Sequence, residues 1–161
     1  MAVYKSYVNG REHRENSAQE LLHKDLTDMI ISCFFKVYNK LGYGFLEKVY
    51  ENSMLHELRI QRLNVASQFP VSVFYDNVRV GEYFADLIVE NKVIIELKAS
   101  STLVNDHVLQ LQNYLRATNI EVGLLLNFGL KPEIRRKSFL NSDKGTISQY
   151  NPDNPVNPVH P

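Results

Sequence analysis

Three charged residues interrupt two otherwise apolar segments of the chain. Asp86 lies in Phe84-Ala85-Asp86-Leu87-Ile88-Val89, and Glu96 and Lys98 lie in Val93-Ile94-Ile95-Glu96-Leu97-Lys98. A charge buried without a partner costs several kcal/mol, so these groups require an ion pair, a metal ion or an opening to solvent. Glu96 and Lys98 are two residues apart and share one face of a strand. Whether Asp86 joins them depends on the turn at Glu90-Asn91-Lys92. If Asp86 pairs with Ile95 it faces away from Glu96; an odd-length turn or a single bulge sets it directly opposite Glu96. Opposed carboxylates repel, so nothing structural favours the second register. A divalent cation between them reverses the sign of the interaction, and a lysine two residues along then holds an attacking water or stabilises developing phosphate charge. The competing reading is a solvated charged face on an edge hairpin. Val93-Ile94-Ile95, apolar on both faces, argues for a central strand instead.

Two helical segments supply further candidates. His107, Gln110 and Tyr114 are spaced by three and four and line one ridge of a helix. Glu47 falls in the first turn of another helix, where the macrodipole favours a carboxylate whatever its role. The other histidines show no metal-ligand spacing. Cys33 sits in Met29-Ile30-Ile31-Ser32-Cys33-Phe34-Phe35 and reads as a buried structural thiol. Arg135-Arg136-Lys137 is equally a phosphate contact or a solvated strand or turn.

The elements that must position these residues follow from periodicity. Ser17-Ala18-Gln19-Glu20 has the spacing of a capping box, and Leu22, Leu26, Met29, Cys33, Val37 and Leu41 form an amphipathic stripe that stops at Gly42. A turn at Gly42-Tyr43-Gly44 leads to a second helix from about Phe45 to Arg62, with Leu46, Val49, Tyr50, Met54, Leu55 and Leu58 apolar. After Asn64 the period becomes two: Phe69, Val71, Val73 and Tyr75 alternate, Asp76-Asn77 is a turn, and strands follow over about Val78 to Val89 and Val93 to Ala99. A third helix, about Leu103 to Ala117, carries Val104, Val108, Leu111 and Leu115, and Ile120 to Leu126 is another buried strand. The order α-α-β-β-β-α-β implies an α/β domain with one mixed sheet flanked by helices.

The chain of 161 residues suits a single domain. We expect a polar N-terminal arm over 1–16, the folded domain over 17–140 and a flexible Asn/Pro-rich tail over 141–161. With 18 basic and 18 acidic residues the net charge is zero, so any grip on nucleic acid must come from a local site. One cysteine excludes a disulfide framework and multi-cysteine zinc modules. The first residues, Met-Ala-Val-Tyr-Lys-Ser, lack a signal peptide's apolar stretch, and no run is long enough to span a bilayer. The expected setting is a reducing cytoplasm.

Taken together, these residues resemble the PD-(D/E)XK nuclease superfamily. Asp86 followed by Glu96-Leu97-Lys98 is similar to its Asp…Glu-x-Lys hairpin, with Ala85 where the motif's name has proline. Gln110-x-x-x-Tyr114 resembles the QxxxY motif of the RecB-like branch, and Gly44-Phe45-Leu46-Glu47-Lys48-Val49-Tyr50 resembles GxxExxY, the name of a small bacterial family within the superfamily. The resemblance runs from about Leu22 to Lys137. It implies a restriction-endonuclease-like fold and metal-dependent hydrolysis of phosphodiester bonds in nucleic acid, DNA first, in repair, recombination or defence. Asp86 and Glu96 would bind Mg²⁺ or Mn²⁺, with the Leu97 carbonyl a further ligand and Glu47 reaching the metal directly or through water. Lys98 would position the nucleophilic water, and Gln110 and Tyr114 would orient the site or contact phosphate. A homodimer would suit cutting of both strands. The alternative is an inactive nuclease-fold module that binds nucleic acid or a protein partner; a third class is a toxin- or antitoxin-like partner protein.

Overall fold

A computed structural model describes residues 22–144. The expected arm, the Ser17–Glu20 cap and most of the expected tail lie outside the described residues. The elements are α1 (Lys24–Leu41), α2 (Glu47–Ile60), β1 (Val65–Tyr75), β2 (Val78–Val89), β3 (Val93–Lys98), α3 (Asn105–Ala117), β4 (Val122–Phe128) and β5 (Pro132–Ser138), followed by a 3-10 turn at Asn141–Asp143. The strands form one sheet in the order β1-β2-β3-β4-β5. Only β3 and β4 run parallel, and α3 is the crossover between them. A restriction-endonuclease-like mixed sheet flanked by helices is thus the architecture.

The expected order lacks β5, which adds a strand after β4. Pro132–Ser138 is polar because it is an edge, paired to β4 alone, and such a strand shows little apolar alternation. The expected α1 stripe holds except at Met29: Cys33 and Val37 are buried, and Leu22, Leu26 and Leu41 pack against the same core. Ile30, Cys33, Phe34 and Val37 are buried, whereas Met29 is exposed. The tight 30, 33, 34, 37 spacing is the better fit to 3.6 residues per turn. At α2, Tyr50, Met54 and Leu58 are buried, while Leu46 and Val49 are exposed. At α3, Val104 is the exposed N-cap residue, and Leu111 and Leu115 face the core. Tyr75, placed with the buried set, is exposed at the hairpin tip.

The sheet separates two cores. Beneath α1 and α2 lie Leu87, Val89, Val93, Ile95, Leu97, Leu124, Leu126 and Phe128, together with the buried Cys33. Beneath α3 lie Ile88, Ile94, Leu111, Leu115 and Leu125. β3 alternates between the two and is covered on both faces, as its apolar run requires. No helix among the described residues is long and apolar enough to cross a membrane.

Candidate active site

The β2–β3 turn decides where Asp86 points. Val89 pairs with Val93, Ile88 with Ile94 and Leu87 with Ile95, so the intervening turn has an odd length, Glu90-Asn91-Lys92. Glu90 and Asn91 both adopt positive φ, 53° each, to close it. Continued by one step, that register sets Asp86 opposite Glu96, the arrangement that carboxylate repulsion alone disfavours. The backbone ladder ends at Leu87 and Ile95, and side chains take over. The Leu97 N–H donates to Asp86 Oδ2 at 2.8 Å, and the Asp86 N–H donates to Glu96 Oε1 at 3.4 Å. The strands fork there, with a carboxylate from each prong inside the fork. β3 is the middle strand and Glu96 is only 2% exposed, so a solvated edge hairpin is excluded.

The electrostatics match that geometry. Burial, then the neighbouring Asp86 carboxylate, push the Glu96 carboxyl up to about 8, against a weaker opposing pull from Lys98. Burial also raises Asp86; the Leu97 N–H and Lys98 work against it, and the Glu51 and Glu47 carboxylates reinforce it. Lys98 Nζ lies 3.9 Å from Glu96 Oε2, with the lysine side chain mostly buried. One cation therefore faces a pair of carboxylates and is too few to neutralise both.

Glu47 reaches the fork from the other layer. It is the first residue of α2, and its Oε1 accepts from the Ala99 N–H at 3.4 Å, just beyond Lys98. The preceding turn is held by Tyr50, whose hydroxyl donates to the Gly42 carbonyl at 2.9 Å and accepts from the Phe45 N–H at 3.2 Å. The Tyr50 ring stacks on Phe128 with centroids 4.1 Å apart. Gly44, at φ 106°, takes a conformation that side chains rarely adopt. Gly44, Glu47 and Tyr50 thus act as one device: the glycine permits the turn, the tyrosine locks it, and the glutamate is delivered to the end of β3.

On the opposite side of the fork, Gln110 Nε2 donates to the Tyr114 hydroxyl at 2.9 Å across one turn of α3. The Tyr114 hydroxyl is pushed up, first by burial and then by the Glu96 and Asp86 carboxylates, with the Gln110 bond opposing. The Tyr114 ring meets Tyr83 at a centroid distance of 6.2 Å. His107, one turn ahead of Gln110, has a buried Nδ1 with no hydrogen-bond partner.

Two residues of the site escaped the sequence reading. Glu51, one turn beyond Glu47, is 5% exposed and bonded to Lys48 and Gln68; the spacing of four from Glu47 was its signal. Asn127 is fully buried and clamps the chain after Lys98: its Nδ2 donates to the Ser100 carbonyl at 2.9 Å, and its Oδ1 accepts from the Ser100 N–H at 3.0 Å. Nothing in the local sequence marks it. The basic run divides its duties along β5. Arg136 donates to Thr27 Oγ1 and to the Leu22 carbonyl, tying β5 to the start of α1, while Arg135 pairs with Glu133.

The donor set suits a hard divalent cation. The carboxylates are oxygen donors with excess negative charge, and Mg²⁺ characteristically takes one or two of them with waters and substrate phosphate completing its shell. Among the described residues, no three His, Cys, Asp or Glu side chains converge closely enough to form a protein-only metal shell. The arrangement corresponds to the two-carboxylate case.

The family model of the PD-(D/E)XK nuclease superfamily matches residues 24–137. That span starts at the first residue of α1 and ends within β5, taking in the whole fork. No curated protein and no solved structure matches the chain.

Proposed function

Because the chain belongs to the PD-(D/E)XK nuclease superfamily, we propose that it is a Mg²⁺- or Mn²⁺-dependent nuclease that hydrolyses phosphodiester bonds in DNA. The observation that carries this reading is the β2–β3 register, which sets the buried Glu96, the half-buried Asp86 and a lysine into one fork. With both groups ionised such a juxtaposition is costly, and a divalent cation with a phosphate gives it a chemical use. Asp86 and Glu96 would hold the cation, with the Leu97 carbonyl a further ligand and Glu47 reaching it through water. A bound divalent cation supplies Lewis acidity and lowers the pKa of a water. Lys98 Nζ, beside Glu96, orients that water and offsets charge building on the phosphate. The Gln110–Tyr114 pair borders the position of the phosphate and fixes its approach. The Gly44, Glu47 and Tyr50 device supports reading the chain as a GxxExxY-type member of the superfamily, and a cytoplasmic homodimer would present two forks to two strands.

The test is cleavage of single-stranded, double-stranded, flapped and branched DNA, and of RNA, with Mg²⁺ or Mn²⁺. Wild type cuts at least one substrate, chelation abolishes cutting, and Lys98→Ala lowers the rate by about 10²-fold or more. Cutting that survives both chelation and Lys98→Ala defeats the assignment of this site. The second reading is an inactive nuclease-fold module that binds nucleic acid or a protein partner. Binding of nucleic acid with no cutting on any substrate would select it.

A further inference from the structure

Apart from a register shift between Val73 and Phe74 near its tip, the β1–β2 hairpin changes faces once. Val65, Leu87 and Val89 belong to the core under α1 and α2. Val71 and Ala85, with Phe69 and Val73 packed beside them, belong to the core under α3. Side chains alternate along a strand, so residues of one parity pass from one core to the other only where the backbone rolls over. The roll lies between the pairs Ser67–Leu87 and Phe69–Ala85, which flank Gln68 and Asp86; those two are not themselves paired.

Gln68 carries the roll, with φ of 52° inside a strand. That left-handed conformation persists in a non-glycine residue only where its surroundings enforce it. The enforcement is visible. Gln68 Nε2 donates to Glu51 Oε2 at 3.0 Å, and Lys48 Nζ holds the other oxygen of Glu51 at 2.7 Å. Glu51 is buried on α2, so the bond joins the helix layer to the strand at the residue where the hairpin turns over. Across from Gln68, Asp86 sends its carboxylate to β3 and accepts from the Leu97 N–H.

We propose that Glu51 and Gln68 are positioning residues: their hydrogen bond is a strut that holds the hairpin rolled and so aims the Asp86 carboxylate into the fork. The proposal rests on the nuclease reading for what the aimed carboxylate does, and its primary test needs neither metal nor substrate. The reporter is the Leu97 amide in the metal-free full chain, followed by ¹⁵N NMR and hydrogen exchange, with Asp86→Ala, which has no acceptor there, marking the signature of a lost bond. Gln68→Gly keeps the left-handed backbone at no steric cost and removes the tie. In that variant the Leu97 amide proton moves toward its Asp86→Ala position and exchanges about tenfold faster or more, while the Ile94 and Leu124 amides keep their rates. Glu51→Leu behaves alike, and Glu51→Gln, which retains an oxygen acceptor for Gln68, preserves the wild-type Leu97 signal. An unchanged Leu97 amide in Gln68→Gly overturns the proposal, as does equal acceleration at Ile94 and Leu124. Mn²⁺ affinity provides the second arm. Supporting residues around metal ligands typically contribute about 10- to 100-fold, and Gln68→Gly loses affinity on that scale. If Leu97 responds as described but wild type binds no Mn²⁺, the strut stands and the nuclease reading falls.

Discussion

At the scale of the residue, the site is a problem of one proton or one cation. Glu96 is held at the centre of the sheet opposite Asp86, and burial, then that neighbour, raise its carboxyl from 4.5 to about 8. A carboxyl raised by folding binds its proton more tightly in the native state than in the unfolded chain. The stability it contributes is fully present below the ordinary glutamate value and is lost as pH rises through about 8. Metal-free protein therefore melts progressively lower between pH 5 and pH 8, by at least a few degrees beyond the change seen in Glu96→Gln. The measurement is a pair of melting curves in chelator across that range; parallel curves for the two proteins would remove the argument. Millimolar Mg²⁺ or Mn²⁺ restores most of the loss in wild type and none in Glu96→Gln, because the cation then occupies the role of the proton.

At the scale of the element, the chain's exit from β3 matters as much as the fork. Lys98 is the last residue of β3, and Ser100 is pinned by the buried Asn127 amide at the end of β4. Gly129 closes this clamp from outside: a Cβ there would stand 2.2 Å from the Ser100 carbonyl oxygen, a backbone atom with little freedom to yield. Gly129→Ala consequently destabilises the protein by about 2 kcal/mol or more and lowers cleavage with it. Gly81→Ala, whose nearest contact is a Tyr83 side-chain atom at 3.4 Å, is the matched control and changes the urea midpoint little. An equal midpoint for the two variants would show that the clamp yields freely. The contrast also explains what was legible in the sequence. The interruption of apolar strands by Asp86, Glu96 and Lys98, the QxxxY and GxxExxY spacings, and the central place of Val93-Ile94-Ile95 are local patterns, and local patterns survive in a string of letters. The β2–β3 register was legible only as two alternatives, because turn length alone separates them and both fit the letters. Asn127, Glu51 and Gln68 act through partners 17 or 27 residues away, so no window around them reveals their task. β5 was missed because an edge strand carries charge where a central one carries valine, and Met29 was set on the core face of α1 because the adjacent Ile30, which is buried in its stead, is equally apolar.

At the scale of the molecule, a nuclease must hold a polyanion with a chain of zero net charge. Among the described residues, several of the cations that might make a basic face are committed elsewhere. Lys36 and Lys40 serve Glu57, Lys48 serves Glu51, Lys24 serves Asp28, Arg79 serves Glu82, Arg135 serves Glu133 and Arg136 anchors β5 to α1. The fork itself is acidic until a cation enters. On the proposed reading, attraction to phosphate is concentrated at the bound cation and Lys98, with the exposed rings of Tyr83 and Phe45 available for uncharged contact. A protein that makes 6–10 phosphate contacts loses about 10³–10⁵ in affinity between 50 and 200 mM salt. For this chain we expect a loss of no more than about tenfold over that interval, which corresponds to about two phosphate contacts. Divalent cation should strengthen binding at constant ionic strength. Fluorescence anisotropy of a labelled oligonucleotide reads both effects, with a variant slowed in cleavage, Asp86→Asn serving as the control that has lost the cation. A thousandfold loss with salt would mean that an extended basic surface, supplied by a second subunit or by residues outside 22–144, carries the nucleic acid. Binding indifferent to the cation would mean that the carboxylate fork takes no part in holding it.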